Sequence, residues 1–337
     1  MDSASIIEWV IKSLIIILGL TAGFAYVTYF ERRMLARIQV RIGPNRAGPF
    51  GLLQPIADAV KLIFKEELIP AKADKVIFIL APVITVFPAL VITAVIPWGT
   101  SIHLFGRVIE LNLVDINVGV LYIMAIASIS VYGISLAGWS SKNKYAMLGG
   151  LRAAAQMISY ELALGLAFVP PIMLASSMSL IVHVQTQQHM GLIKWWLYQP
   201  FGPLIFLIAS IAEVNRAPFD MPEAEQELTA GYHTEYSGMK FALFFMAEYI
   251  KMIAVSMIAA TMFFGGYLGP FVDRFPLLGP VYLTIKVVVL LFFMVWLRAT
   301  MPRIRYDRLM SFGWKVLLPL SMLNVLITAL VIVLVGV

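Results

Sequence analysis

The sequence predicts an all-α polytopic membrane protein, with eight transmembrane helices and an interfacial amphipathic helix in the first cytoplasmic loop. Of its 337 residues, 61% are hydrophobic and only 13% are charged, about half the ~25% found in soluble domains. The apolar residues form runs that approach the ~20 residues a helix needs to cross a bilayer. This composition excludes a soluble globular protein, a disordered chain and a free nucleic-acid binder.

The predicted spans follow one another along a single integral membrane domain, residues 1–337. Their approximate bounds are Ile6–Phe30, Val76–Trp98, Val118–Ala137, Met157–Val182, Pro203–Val214, Phe241–Phe264, Val281–Leu297 and Trp314–Val335. Four loops on one side cover about 31–75, 138–156, 215–240 and 298–314. No internal repeat is evident, which argues against a transporter built from inverted repeats.

The distribution of basic residues predicts the orientation of these spans. Most of the 25 Lys and Arg residues fall in the four loops just described. Because loops rich in Lys and Arg stay in the cytoplasm, the four loops are predicted to be cytoplasmic. Both termini then lie on the outer side, as an even number of spans requires.

The absence of cysteine limits the redox chemistry available to this chain. Without Cys it can form no disulfide, no cysteine-ligated Fe–S cluster and no thiolate zinc site. None of the four histidines lies in the middle of an apolar run, so no haem is expected between the spans. We predict no metal site here, and any electron carriers should reside on other chains.

The first cytoplasmic loop contains a predicted amphipathic helix, from Gly51 to Glu66. Its polar residues share one face: Gln54, Asp58, Lys61 and Lys65. At about 15 residues the segment is too short to span a bilayer. It fits a helix that lies in the membrane interface or a helix packed against other spans.

Arginines recur every fourth residue before that helix, at Arg33, Arg37 and Arg41. This spacing predicts that they line one helical face. One interpretation is anchoring at the membrane surface. The other is binding of an anionic partner or a polar head group.

One loop on the basic side is acidic. Between Arg216 and Lys240 it holds Asp220, Glu223, Glu225, Glu227 and Glu235. Anionic lipid would repel such a loop, so we expect another protein to cover it. Burial among like charges would raise the pKa of some of these carboxyls.

Three glutamates, Glu161, Glu213 and Glu248, fall within or at the ends of predicted spans. A carboxylate at the bilayer centre costs ~3 kcal/mol, so such residues face the bundle interior and are candidates for function. A rise of 1.5 Å per residue predicts that Glu213 is shallowest, followed by Glu248 and Glu161. The series resembles a proton path; the alternative is a structural pair in which Glu248 and Lys251 neutralise each other.

Four long segments are similar to signature segments of one family. They are ERRMLARIQVRIGPNRAGPFGLLQPIADAVKLIFKE, GWSSKNKYAMLGGLRAAAQMISYE, AEVNRAPFDMPEAEQELTAGYHTEYSGMKFALFFMAEY and RATMPRIRYDRLMSFGWKVLLP. In these segments the chain resembles the H subunit of respiratory complex I, the proton-translocating NADH–quinone oxidoreductase. The mitochondrial counterpart of that protein is NADH dehydrogenase subunit 1. The resemblance covers almost the whole chain.

The resemblance implies a subunit that is part of an enzyme and is not catalytic alone. It implies eight transmembrane helices, a tunnel that admits the substrate quinone, and contacts with the A, B and D subunits. It also implies that FMN and the Fe–S clusters are bound by partner chains. It also implies a bacterial cytoplasmic membrane. It assigns to the quinone tunnel Glu31, Arg32, Arg41, Asp58, Arg216, Asp220 and Arg298. It assigns to an acidic proton path Glu161, Glu213, Glu223, Glu225, Glu227, Glu235 and Glu248.

Two other classes of function stay open at this point. A secondary transporter with a carboxylate relay should move its substrate when the chain is reconstituted alone. A passive scaffold that only anchors peripheral subunits should tolerate neutral residues in place of the buried glutamates.

Overall fold

The computed structural model describes residues 3–104, 107–221 and 230–335, most of which are helical. The helices are α1 (Ser3–Ile38), α2 (Gln54–Phe64), α3 (Lys75–Val91), α4 (Gly119–Ser140), α5 (Lys144–Ala175), α6 (Leu180–Met190), α7 (Leu192–Tyr198), α8 (Gly202–Glu213), α9 (Gly238–Phe263), α10 (Leu278–Thr300), α11 (Tyr306–Phe312) and α12 (Leu318–Val335). Short 3₁₀ turns cover Pro49–Gly51, Ile92–Val95 and Gly231–His233, and a π-helical turn, Gly313–Leu317, joins α11 to α12. An antiparallel hairpin pairs β1 (Ser101–Leu104) with β2 (Arg107–Glu110).

Seven helical segments in this part of the chain are long and apolar enough to cross a membrane. They are Ile6–Ile38, Lys75–Val95, Gly119–Ser140, Lys144–Ala175, Gly238–Phe263, Leu278–Thr300 and Tyr306–Val335. An eighth span exists only if α7 and α8 count together, and the chain bends by 78° between them. The all-α polytopic architecture is confirmed. The predicted fifth span corresponds to α8, whose 12 residues are too few to cross alone.

The first helix is longer than its predicted span. It continues past Phe30 to Ile38, through Glu31 and the two arginines that follow. Charged residues end an apolar run, but Glu and Arg are good helix formers. The helix nevertheless ends before Arg41, so the prediction that Arg33, Arg37 and Arg41 share one helical face is wrong for Arg41.

The fourth predicted span, Met157–Val182, is wrong at both ends. Helix α5 begins at Lys144, where the Asn143 side chain caps it by accepting a 3.0 Å hydrogen bond from the Tyr145 backbone N–H. It ends at Ala175, and Ser176 adopts a left-handed conformation with φ of 50°. A separate helix, α6, then follows.

Two glycines bring α4 close to both of its neighbours. A β-carbon at Gly133 would lie 2.2 Å from Thr85 Oγ1 of α3, and one at Gly138 would lie 2.5 Å from the Ala146 carbonyl oxygen of α5. Small residues allow helices to approach in this way in membrane proteins. Helices α3, α4 and α5 therefore form one closely packed unit.

Helix α9 is the centre of the bundle. Every side chain from Tyr249 to Phe263 is buried, as expected of a helix with neighbours on all sides. It packs on α1, α3 and α10. Any charged residue on this helix must therefore find its partner inside the protein.

Candidate functional site

A buried arginine joins two glutamates from different helices. Arg216 Nε lies 2.5 Å from Glu248 Oε1 of α9, and Arg216 Nη1 lies 3.3 Å from Glu31 Oε1 of α1. Its guanidinium also lies 4.2 Å from the ring centroid of Tyr249, a cation–π distance. Arg298 of α10 forms a second ion pair with Glu31. Helices α1, α9 and α10 and the segment after α8 are thus held by one network of alternating charge.

The chain after α8 is fixed by contacts that place Arg216 in this network. The amide Nε2 of Gln156, a fully buried residue of α5, donates to the carbonyl oxygens of Ala212 and Phe219, each at 2.8 Å. Directly after Phe219, Asp220 Oδ2 accepts a hydrogen bond from Arg303 Nη2 at 2.9 Å. Burial raises the pKa of the Asp220 carboxyl, because desolvation outweighs the attraction of Arg303 and the other nearby arginines.

A second ion pair lies one helical turn further along α9. Lys251 Nζ is 2.9 Å from Glu213 Oε1 and 3.2 Å from Ser130 Oγ. Glu213 is 5% exposed and Lys251 is 9% exposed. The alternative in which Glu248 and Lys251 neutralise each other is therefore wrong, because each has a different partner from another part of the chain.

The third glutamate, Glu161 of α5, accepts a hydrogen bond from the Ser128 hydroxyl of α4. Glu161, Glu213 and Lys251 line one internal gap of about 20 Å³, and Glu213, Glu248 and Lys251 line another of about 30 Å³. Each gap exceeds the ~10–15 Å³ that one water molecule requires. Glu213 therefore adjoins both gaps, one shared with Glu248 and the other with Glu161. The depths predicted for the three glutamates stay a prediction.

An apolar cavity lies beside the charged network, between α1, α2 and α9. Its volume is about 460 Å³. Phe24, Phe241 and Phe245 are among the apolar residues that line it, and Arg32 and Asp58 lie at its margin. Arg32 Nη1 is 2.5 Å from Asp58 Oδ2, and Gln54 Nε2 donates to Asp58 Oδ1 at 3.0 Å.

Comparison with known proteins gives a consistent answer over most of the chain. A family model described as NADH dehydrogenase matches residues 11–329. The H subunit of NADH-quinone oxidoreductase from Thermomicrobium roseum is 54% identical over 323 residues, which are 94% of this chain and 92% of that relative. An H subunit of the same enzyme from Syntrophobacter fumaroxidans, the one numbered 2, is 50% identical over 327 residues, 97% of this chain and 96% of that relative.

The chain belongs to the family of NADH-quinone oxidoreductase H subunits. An H subunit is part of an enzyme complex and is not catalytic alone. Quinone is the substrate of that complex. The sequence contains no cysteine, and the described residues contain no group of three or more His, Asp or Glu able to hold a metal ion.

The structure of this H subunit brings together most, but not all, of the residues selected from the sequence. Glu31, Arg216 and Arg298 share one network, with Asp220 beside it. Arg41 lies outside it: its Nε donates to Gln39 at 2.7 Å, and the residue is exposed. Of the acidic loop, Glu235 accepts a 2.6 Å hydrogen bond from Asn143. Glu223, Glu225 and Glu227 lie outside the described residues.

Several residues of the site carried no recognisable signal in the sequence. Ser128 and Ser130 are ordinary small residues of an apolar run, and Arg303 is one of many basic loop residues. Gln156 is the exception, because an amide between apolar residues of a span is costly unless it is hydrogen-bonded. That cost could have identified it as a buried donor.

Proposed function

We propose that this chain forms much of the quinone-access tunnel of NADH-quinone oxidoreductase and couples quinone reduction to proton translocation. One observation carries the proposal: Arg216 contacts both Glu31 of the cavity helix α1 and Glu248, the first member of the carboxylate series. A charge that appears near the cavity therefore acts on the series through a single guanidinium. The chain itself carries no redox centre in this proposal.

Quinone would enter through the apolar cavity between α1, α2 and α9. Its ring and tail are apolar, so a gap beside a helix lying in the membrane interface suits it. In this proposal α2 is that interfacial helix. The residues that line or border the tunnel are Glu31, Arg32, Arg41, Asp58, Arg216, Asp220 and Arg298.

Coupling would follow from the charge change at reduction. Quinone takes up two electrons and two protons. While electrons have arrived and protons have not, the quinone carries negative charge, which shifts the protonation of nearby carboxyls. Arg216 is shared by Glu31 and Glu248, so stronger pairing with one weakens its hold on the other. The proton then passes between Glu248, Glu213 and Glu161, with Glu223, Glu225, Glu227 and Glu235 as the entrance from the loop.

The proposal includes the surroundings of the protein. The A, B and D subunits of the complex would contact the chain, with FMN and Fe–S clusters on partner chains. The four basic loops would face the cytoplasm of a bacterium and both termini the outer side. The distribution of Lys and Arg in the sequence supports this orientation.

Replacing Asp58 with alanine tests the tunnel. The change should reduce quinone reduction by the assembled complex about tenfold, equivalent to ~1.4 kcal/mol, because Arg32 loses its partner at the cavity margin. Oxidation of NADH by an artificial acceptor that takes electrons from upstream carriers should be nearly unchanged. The same pattern is expected for Arg41→Ala.

Asp307→Ala is the matched control for Asp58→Ala. Asp307 forms an exposed ion pair with Arg305 at 2.8 Å, and exposed pairs contribute only ~0–1 kcal/mol to stability. Asp307→Ala should leave quinone reduction and the oxidation of NADH by the artificial acceptor close to those of the parent complex. Equal losses of both activities in Asp58→Ala, at normal assembly, would contradict the tunnel role.

The proposed cover over the acidic loop can be tested by labelling. Because the chain has no cysteine, Glu225→Cys gives this chain a single reactive thiol. A charged thiol reagent should label it poorly in the whole complex and readily after the peripheral subunits are stripped. Lys194→Cys, at an exposed position before Trp195, should label equally in both states. Equal labelling of Glu225→Cys in both states would show that no partner covers the loop.

A further inference from the structure

A layer of three phenylalanine rings borders the internal gap beside Glu161 and Glu213. Phe206 of α8 and Phe168 of α5 line that gap. The Phe206 ring centroid lies 5.4 Å from that of Phe168 and 5.3 Å from that of Phe263 of α9, distances typical of aromatic pairs. All three side chains are buried. Phe168, Phe206 and Phe263 are called the phenylalanine layer below.

A second polar region lies against this layer, at the bend between α7 and α8. The side-chain amides of Gln199 and of Asn324 of α12 are fully buried. Among the described residues, neither amide atom of Gln199 and not the Nδ2 of Asn324 has a hydrogen-bond partner. A β-carbon at Gly202 would lie 3.0 Å from Gln199 Oε1, 3.5 Å from Asn324 Nδ2 and 3.4 Å from Phe263 Cε1. The two amides, called the amide cluster below, therefore adjoin the phenylalanine layer.

One face of α8 carries both polar regions and a ring between them. Gly202, Phe206 and Glu213 fall within about 40° of one another around the helix axis, at 3.6 residues per turn. Along the axis, Phe206 lies about 6 Å from Gly202 and about 10 Å from Glu213. The Phe206 ring is therefore placed between the amide cluster and the gap that Glu213 shares with Glu161.

The amide cluster lies toward the end of α8 that is remote from the acidic loop. Lys194 of α7 is exposed and precedes Gln199 by five residues. Its ammonium group must reach water, because a charge held in lipid is costly. The bend and the amide cluster therefore lie between this water and the phenylalanine layer.

We propose that the phenylalanine layer, with Phe206 at its centre, stops protons from leaving the carboxylate series toward the water beside α7. The inference rests on the proposed function, because it concerns protons held by Glu213 and Glu161. Apolar constrictions exclude water and so block the passage of ions. A chain that couples quinone reduction to proton translocation needs such a closure, since a continuous file of water across it would let protons flow back.

The test measures passive proton entry into vesicles that contain the intact complex, without NADH. A potassium diffusion potential set with valinomycin drives the protons, and a trapped pH-sensitive dye records them. Phe206→Gln and Phe206→Met are a matched pair, because the two side chains have similar lengths and only glutamine carries an amide. Phe206→Gln should raise proton entry at least about tenfold by joining the two polar regions. Phe206→Met should stay within about twofold of the parent because it remains apolar.

Removal of the ring gives a second test if Phe206→Gln fails to assemble. Phe206→Ala leaves space beside polar groups, where water can enter, and should raise proton entry at least about fivefold. Phe78→Ala is the control, because it removes an equally buried ring of α3. Phe78 belongs to a separate apolar cluster and stacks on Tyr236 at 4.0 Å, so its loss should leave proton entry at the parent level.

A double variant identifies the route of the protons. Adding Glu213→Gln to Phe206→Ala should return proton entry to near the parent level, because the leak then meets a residue that cannot titrate. Parent-like entry in the assembled Phe206→Gln or Phe206→Ala complex would overturn the proposal, as would a leak that persists in full in the double variant. Near-normal quinone reduction by Glu213→Gln alone would instead count against the proposed coupling, and the vesicle measurement, which needs no turnover, would still decide on the barrier.

Discussion

Replacing Glu213 with glutamine is expected to lower quinone reduction by the assembled complex at least tenfold, about 1.4 kcal/mol or more in activation free energy. Glutamine keeps the shape of the side chain and its hydrogen bonding, but it cannot change charge. Glu213 adjoins both internal gaps of the carboxylate series, so a neutral residue there interrupts every transfer between Glu248 and Glu161. Steady-state quinone reduction at matched assembly measures the effect.

The ion pair with Lys251 requires a specific control. Removing one partner of a buried pair leaves an unpaired charge and costs about 3–5 kcal/mol, so Glu213→Gln could lose activity through instability alone. The double variant Glu213→Gln with Lys251→Met removes both charges and should recover thermal stability. If Glu213 carries protons, the double variant stays slow although it is stable. Recovery of turnover would assign Glu213 a structural role only.

Aspartate at the same position separates these roles further. Glu213→Asp keeps a titratable carboxyl on a side chain that is shorter by one methylene group. It should therefore lower quinone reduction less than Glu213→Gln does. A passive scaffold predicts the reverse order, with glutamine tolerated and aspartate worse through lost packing. Near-normal coupled turnover in Glu213→Gln would exclude Glu213 from the path.

The second large effect is expected at Arg216. Arg216→Met takes away the ion-pair partner of buried Glu248 and one of the two arginines of Glu31, so we expect a loss of about 3–5 kcal/mol in stability and poor assembly. Arg216→Lys is the more informative change. Lysine keeps the charge but has one nitrogen, and the arginine uses Nε for Glu248 and Nη1 for Glu31.

We therefore expect Arg216→Lys to assemble and to reduce quinone at least about tenfold more slowly, with the artificial-acceptor activity retained. Arg305→Lys is the matched control, because Arg305 contacts Asp307 through one nitrogen and is 78% exposed in its side chain. It should change turnover less than about twofold, the scale of a weak exposed pair. Parent-like turnover in Arg216→Lys would remove this arginine from the coupling mechanism.

The apolar runs of the sequence were sufficient to predict most of the spans, because hydropathy reports directly on burial in a membrane. They were not sufficient for helix ends. Glu31 lies inside α1 because the helix continues where the apolar run stops. Helix α5 begins at Lys144 because of the cap at Asn143, which is a local hydrogen bond rather than a change in hydropathy.

The partners of the buried charges could not be predicted for a different reason. Glu248 and Lys251 are three residues apart, and that spacing favours a pair on an isolated helix. In the bundle each pairs instead with a residue far away in sequence, Arg216 or Glu213. Such contacts depend on how helices pack, which a single sequence does not specify. The candidates were thus identified by residue type and their ion-pair partners by the structure.

The glycine contacts of α4 have a mechanical consequence. With no side chain between them at Gly133 and Gly138, the three helices α3, α4 and α5 cannot slide past one another without backbone collisions. Ser128, Ser130 and Glu161 therefore stand on a stationary frame. Glu213 stands at the tip of a 12-residue helix that begins just after a sharp bend. The amide of Gln156, on the same frame, binds the carbonyl oxygen of the neighbouring Ala212 at 2.8 Å, so the distance between Glu213 and Lys251 is set by the frame rather than by an independent movement of this short helix.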